Sequence, residues 1–309
     1  MPIYLPIAEI SLSFFTLVAV GTGVGAIAGL FGVGGGFLLT PLLLISGVPS
    51  PVAVASVTAQ VVASSASGAM AHWRRKTIDI KLGGVLVAGG AVGSVLGVAT
   101  FDWLRQLGQL DAVLAISYLV LLGSIGTIML IESVRSIFRS RNGSATRQTP
   151  KRRDWTKTWP LRMRFRRSGM YISAIPVVII GAAIGFIGAL LGIGGGFILV
   201  PALVYLLRIP GKFVIGTSLM HLAAVMAVTC FLHAWQNQTV DIVLALCLMI
   251  GSVVGAQVGT ALGGRLGGAQ LRVLLSLLVL GVAANFAIDL FIDPGPIFVS
   301  SEVEVEELP

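Results

Sequence analysis

The sequence predicts an all-α polytopic membrane protein. It would consist of two inverted-topology repeats of about five helical segments each, with helices broken at two glycine-rich motifs. Three observations predict it. Hydrophobic residues make up 56% of the 309-residue chain and charged residues only 11%, where a soluble domain carries about 25% charged residues. Apolar runs of spanning length recur from end to end. And the stretch GAIAGLFGVGGGFLLTP, Gly25 to Pro41, returns as GFIGALLGIGGGFILVP, Gly185 to Pro201, with ten of seventeen positions identical and no gap.

A chain so poor in charge cannot cover its own surface with solvated groups, and the bilayer is the solvent that suits it. A spanning helix needs about 20 mostly apolar residues. Apolar segments lie at about 8–31, 37–47, 52–72, 80–100 and 110–131, and again at 171–191, 197–207, 213–234, 240–260 and 270–292. Segments 37–47 and 197–207 are short for a full crossing. The expected organisation is a first transmembrane repeat over 8–131, a basic cytoplasmic linker over 132–170, a second repeat over 171–292 and an acidic tail over 293–309. The N-terminus has no Lys or Arg before its apolar region and reads as mature chain, not as a cleaved signal. Cys230 and Cys247 sit in apolar runs and read as buried free thiols. No Cys/His metal spacing occurs and no cofactor is called for.

The net charge of +8 is concentrated in short segments between apolar runs. That fits the positive-inside rule and excludes a nucleic-acid partner. His72 to Lys76, Lys81 and the linker Arg139–Arg167 mark inner loops, as do Arg208, Lys212, Arg265 and Arg272. The loop His233–Asp241 carries no Lys or Arg and goes outside. Matching loops therefore fall on opposite sides, and both termini are expected outside the plasma membrane (the bacterial inner membrane). Trp155, Trp159, Leu161, Met163 and Phe165 are expected to form a short interfacial helix, with the linker on anionic headgroups.

The repeat continues past the glycines. Pro49 corresponds to Pro210, Gln60 to His221, His72 to His233, and Asp79 to Asp241. Gly89, Gly93 and Gly97 recur four apart, as do Gly251, Gly255 and Gly259. That spacing lines one helix face with glycine, a packing signal.

Three glycines in a row break a helix, because each costs about 1 kcal/mol against Ala. The backbone groups so freed must be buried in protein or face a polar cavity. Phe37 and Phe197 would begin new helices, with Pro41 and Pro201 in or near the first turn, where a missing N–H is harmless. Gly34, Gly35, Gly36, Gly194, Gly195 and Gly196 would then present backbone N–H groups at the positive ends of two helix dipoles, a ready anion site. Gln60, Thr217, Ser218 and His221 would add neutral donors without burying a permanent charge. Helix–helix hydrogen bonding accounts for the same hydroxyls. His221 is the only histidine well inside a span, so it is the candidate for proton coupling; a buried neutral histidine bonded to a backbone carbonyl is the equal alternative. The clusters are not phosphate loops, since GVGGGF and GIGGGF lack the Lys-Ser/Thr of that motif.

Two GxGGGF…P clusters about 160 residues apart, each followed by a Ser-x-Thr or Thr-Ser helix, resemble the sulfite exporter TauE/SafE family of multi-pass permeases. GIGGGFILVPAL with Gly216–Thr217–Ser218 carries the resemblance most specifically; the first half departs from it with ASVTAQ. The resemblance implies transport of a small sulfur-containing anion such as sulfite or an organosulfonate, with export as the direction. The expectation is a secondary transporter working by alternating access, and not an enzyme. Its partners would be the small anion, anionic lipid headgroups and a second copy in a homodimer. The other readings are an anion channel with a glycine-lined filter, a membrane enzyme and a scaffold that transports nothing.

Overall fold

The structure, a computed structural model, describes residues 2–31, 34–141, 162–165, 170–207, 209, 211–263 and 268–292. The chain is helical almost throughout. The first half contains α1 (Phe14–Phe31), α2 (Gly36–Ile45), α3 (Ser50–Arg74), α4 (Ile80–Gln106) and α5 (Leu110–Arg141). The second contains α6 (Ala174–Leu191), α7 (Gly196–Pro201), α8 (Gly211–Leu232), α9 (Ile242–Gly263) and α10 (Gly268–Ile292). Among the described residues, seven helices are long and apolar enough to cross a membrane. The all-α polytopic expectation holds. At 1.5 Å per residue the ten residues of α2 rise only about 15 Å, roughly half a hydrocarbon core.

Packing couples the halves. Helix α1 runs along α9, and α4 along α6; α3 packs on α8 and α9, α8 on α4, and α5 on α10. Exchanging each helix for its counterpart five places on maps this set onto itself. The glycine rows explain the two closest pairs. A Cβ at Gly255 would collide with the Thr22 carbonyl, and one at Gly259 with that of Ala26. A Cβ at Gly93 would likewise strike the Ala182 carbonyl, and one at Gly97 would lie 2.6 Å from Phe186 O. From the other side, Gly21 stands against Leu248 and Gly181 against Leu86. Bare backbone meets bare backbone along both seams, which is how helices gain dispersion contact in lipid.

Some expectations are corrected. The apolar segment at 8–31 becomes helical only at Phe14, and that at 171–191 only at Ala174. Each first helix is preceded by an antiparallel hairpin: β1 (Pro2–Leu5) with β2 (Ile10–Ser13), and β3 (Arg162–Phe165) with β4 (Met170–Ser173). Their registers are identical. Pro2 pairs with Ser13 as Arg162 pairs with Ser173, and Leu5 with Ile10 as Phe165 with Met170. Met163 and Phe165 therefore lie in a strand, not in an interfacial helix. The alternation of charged and apolar residues in Arg162–Phe165 has the period of a strand. Trp155, Trp159 and Leu161 fall outside the described residues, as does the tail. The half-helices start at Gly36 and Gly196, one residue earlier than expected, which puts Pro41 and Pro201 sixth, just past the first turn. A proline there removes a ladder N–H, and after Pro201 the chain continues in a wider π-helical turn, Ala202–Leu206.

Gly255→Ala is expected to cost on the order of 1–3 kcal/mol, because backbone stands where the methyl must go. Gly281, with nothing within 4 Å of a Cβ, should accept alanine neutrally or with a gain of up to about 1 kcal/mol. Thermal unfolding of the two purified variants in detergent measures both.

Candidate functional site

Each glycine cluster performs the break its sequence demands. Gly34 and Gly35 have φ of +88° and +75°, and Gly194 and Gly195 of +73° and +70°. These left-handed conformations are open to glycine at little cost and strained for other residues. Gly35 and Gly195 are the N-caps of α2 and α7. Neither cap has a side chain to offer, so the first turns begin on backbone alone. Gly35 O accepts from Leu38 and Leu39 N–H at 3.2 Å, and Gly195 O from Ile198 and Leu199 N–H at 3.1 and 2.9 Å. One expected donor is engaged, since Gly36 N–H bonds Gly34 O at 3.0 Å.

The two breaks meet. A Cβ on Gly36 would lie 2.8 Å from both Gly192 O and Ile193 O, so backbone of one cluster touches backbone of the other. Phe37 and Phe197, first side chains of the half-helices, stack with centroids 5.2 Å apart. Val61 and Leu222, near the middles of α3 and α8, approach both Gly34 and Gly194. The meeting point is therefore at mid-helix depth, and Gly34, Gly35, Gly36, Gly194, Gly195 and Gly196 are all buried there.

Side chains from the facing half hold the carbonyls that the second break releases. Tyr118 Oη donates to Leu191 O, and Thr40 Oγ1 donates to Gly192 O at 3.4 Å. At the first break Ser64 Oγ lies 3.3 Å from Gly34 O. Sequence reasoning missed Tyr118 and Thr40. A fully buried tyrosine in an apolar span needs a partner for its hydroxyl, and that was the available signal.

The four expected side chains divide into two pairs. Gln60 is fully buried beside the first loop. Its Nε2 is 3.6 Å from the Cβ position of Gly35 and 3.4 Å from Ser64 Oγ, while its Oε1 has no hydrogen-bond partner. His221 is 1% exposed and packs against Gly90 of α4. The Leu86 carbonyl is beside its ring, yet neither ring nitrogen makes a hydrogen bond of acceptable geometry.

Thr217 and Ser218 are used elsewhere. Ser218 Oγ bonds Ile215 O of its own helix at 2.8 Å. Thr217 Oγ1 accepts from the backbone N–H of Asp79 at 3.2 Å. The counterpart bond exists in the other half, where Ser56 Oγ accepts from Asp241 N–H at 3.0 Å. Each aspartate also caps the helix it begins. Asp79 accepts from Leu82 N–H; Asp241 accepts from Val243 and Leu244 N–H, and from Ile7 N–H in the first hairpin. Thr217 and Ser56 thus join the two halves at the starts of α4 and α9. Among the described residues no group of three or more His, Cys, Asp or Glu could hold a metal ion.

A family model described as sulfite exporter TauE/SafE matches residues 17–286. The chain is 28% identical over 238 residues to "Probable membrane transporter protein YjnA" of Bacillus subtilis (strain 168), covering 77% of this chain and 85% of that protein. It is 30% identical over 247 residues to a "Probable membrane transporter protein" of Xylella fastidiosa (strain 9a5c), covering 77% and 80%. No solved structure matches.

Ser56→Ala leaves the buried Asp241 N–H unpaired and is expected to cost about 1–3 kcal/mol. Thr217→Ala should do the same through Asp79 N–H. Chemical or thermal unfolding of each variant reads the loss.

Proposed function

The chain belongs to the TauE/SafE sulfite exporter family, and from that premise we propose that it is a secondary transporter exporting a small sulfur-containing anion, sulfite or an organosulfonate. The anion is held near the midplane by the paired half-helix N-termini, and alternating access comes from one inverted repeat rocking against the other. One observation carries the reading most. Two glycine breaks meet at mid-helix depth beside buried Gln60, whose Oε1 has no partner of its own; His221, with two unpartnered ring nitrogens, stands at the matching position of the other half, against Gly90 of α4.

Unpaired buried polar groups cost about 1–3 kcal/mol each. A fold bears that where a ligand completes the set: the anion's oxygens can accept from a His221 N–H, while Gln60 Oε1, an acceptor, calls for the O–H of a protonated anion. An oxyanion accepts from N–H donors, so Gln60 Nε2, a protonated His221 nitrogen and loop N–H groups suit it without a buried permanent charge. Each helix start adds the positive end of its dipole. Membrane location is shared with the relatives named as membrane transporters. The distribution of Lys and Arg supports a cytoplasmic linker and external termini. The chemistry asked of the site is binding and release, not bond making, and the reading is of a carrier rather than an enzyme.

Sulfite flux into proteoliposomes tests the reading, with sulfate, sulfoacetate and thiosulfate as competitors. Saturable flux with counterflow is expected; flux that never saturates would move the reading to an anion channel. His221→Leu removes two unpartnered nitrogens. It is expected to raise Tm by a few degrees while lowering flux at least tenfold. A variant that is both more stable and equally active would show that the histidine serves packing alone. For sidedness, alkaline phosphatase fused after Ile292 should be active in intact cells, because it would lie outside.

A further inference from the structure

A narrow pocket, with room for about one water, lies between α1, α3, α8 and α9. Gly34 and Ser64 form its inner end, and Gly68, Ala256 and Thr260 line it toward the mouth. Gly68 is near the C-terminal end of α3 and Thr260 near that of α9, so the pocket opens on the side where both helices finish. Those ends lead into His72–Lys76 and Arg265, the basic loops assigned to the cytoplasm.

Beside the inner end stands a second feature, Ser65. Its Oγ is fully buried, has no hydrogen-bond partner, and lies 3.3 Å from the point a Cβ on Gly34 would occupy. A serine in a membrane helix ordinarily returns its hydroxyl to a carbonyl of its own helix, as Thr58 does to Ala55 O and Ser94 to Ala91 O. Ser65 makes no such bond.

The equivalent positions in the other half carry larger side chains. Val225 stands where the first half has Ser64, and Thr229 where it has Gly68. A Cβ on Gly188 would lie 3.1 Å from Met226 Cε. Beyond them His233 packs edge-on to Phe101, with its Nε2 3.3 Å from Ala189 O and its Nδ1 3.1 Å from Asn237 Nδ2. Arg105 Nη1 donates to Asn237 O at 3.3 Å and ties α4 to the same cluster.

We propose that this pocket widens into the anion's path from the cytoplasm to the glycine centre, and that Ser65 is a further substrate-binding residue that donates its hydroxyl to the anion at Gly34. The proposal rests on the transport reading and deepens it. The path is polar only at its floor, where Ser64, Ser65 and Gln60 sit on consecutive turns of α3. Between floor and mouth, Gly68 and Ala256 present no charge, and Leu219, its Cδ1 3.0 Å from the Cβ position of Gly68, narrows the way.

Proteoliposomes loaded with sulfite test both parts. Thr260→Trp puts bulk at the mouth and should lower the flux at least tenfold. Gln257→Trp, on an exposed face of the same helix, should leave it unchanged. Ser65→Ala should raise KM for sulfite about tenfold with Vmax held and Tm unchanged or higher. Wild-type kinetics in both Thr260→Trp and Ser65→Ala would overturn the proposal and leave the transport reading standing. Equal loss in both tryptophan variants would also overturn it, since bulk anywhere on α9 would then suffice. Absence of saturable sulfite flux from the wild-type protein would sink both readings together.

Discussion

The bilayer interior offers no partner to an open backbone group, and the architecture follows from that constraint. Each half interrupts a helix with glycine at mid-membrane depth, where every released carbonyl and amide must be met by protein. The meeting of the two interruptions is what makes this feasible. Gly192 O, freed at one break, is bonded by Thr40 from the half-helix that starts at the other. Leu191 O, one residue earlier, is bonded by Tyr118 from α5. The second half depends on the first for both groups, whereas Gly34 O at the first break is met by Ser64 of its own half.

The glycine seams serve the same end. Helices α1 and α9 approach until a Cβ has no room, and so do α4 and α6. Each of these pairs joins one helix from each half. The breaks lie at the end of α1 and of α6, so the tightest contacts in the molecule fix the positions of the two loops. The capping aspartates add a polar tie at the starts of α4 and α9, where Asp79 and Asp241 bond hydroxyls on α8 and α3. Close packing and hydrogen bonds thus join the halves at several separate depths.

Much of this was legible in the sequence because its causes are local. Three consecutive glycines cannot continue a helix, small residues four apart must face one neighbour, and runs of about 20 apolar residues must span. The hairpins were not legible as a pair. Pro2–Ser13 reads as an apolar approach to a helix, and only the alternation in Arg162–Phe165 hints at a strand. At the centre, the glycines and Gln60 fell together as their spacing implied. Thr217 did not, because a hydroxyl one turn from the centre can equally cap a contact between halves, and no local pattern distinguishes the two. Tyr118 was invisible for the opposite reason: its partner, Leu191, is 73 residues away.

The repeats are alike in backbone and unlike in lining, and that difference has a consequence for direction. Positive-φ glycines, hairpin registers and aspartate ties match from half to half. The polar groups do not: Gln60, Ser64 and Ser65 on α3 face His221, Val225 and Met226 on α8. On the proposed alternating-access reading, the repeated frame supplies two related conformations of similar energy. Unequal side chains then set how far each side closes. On the α3 side a narrow pocket reaches Gly34 and Ser64, while Met226, Phe101 and His233 pack the other. An anion binding beside Ser65 would meet donors on one flank and an apolar wall on the other. Opening the wall means breaking the His233 bonds to Ala189 and Asn237. A ligand can move such an equilibrium only by its difference in affinity for the two states. The neutral donors of α3 are where that difference would arise.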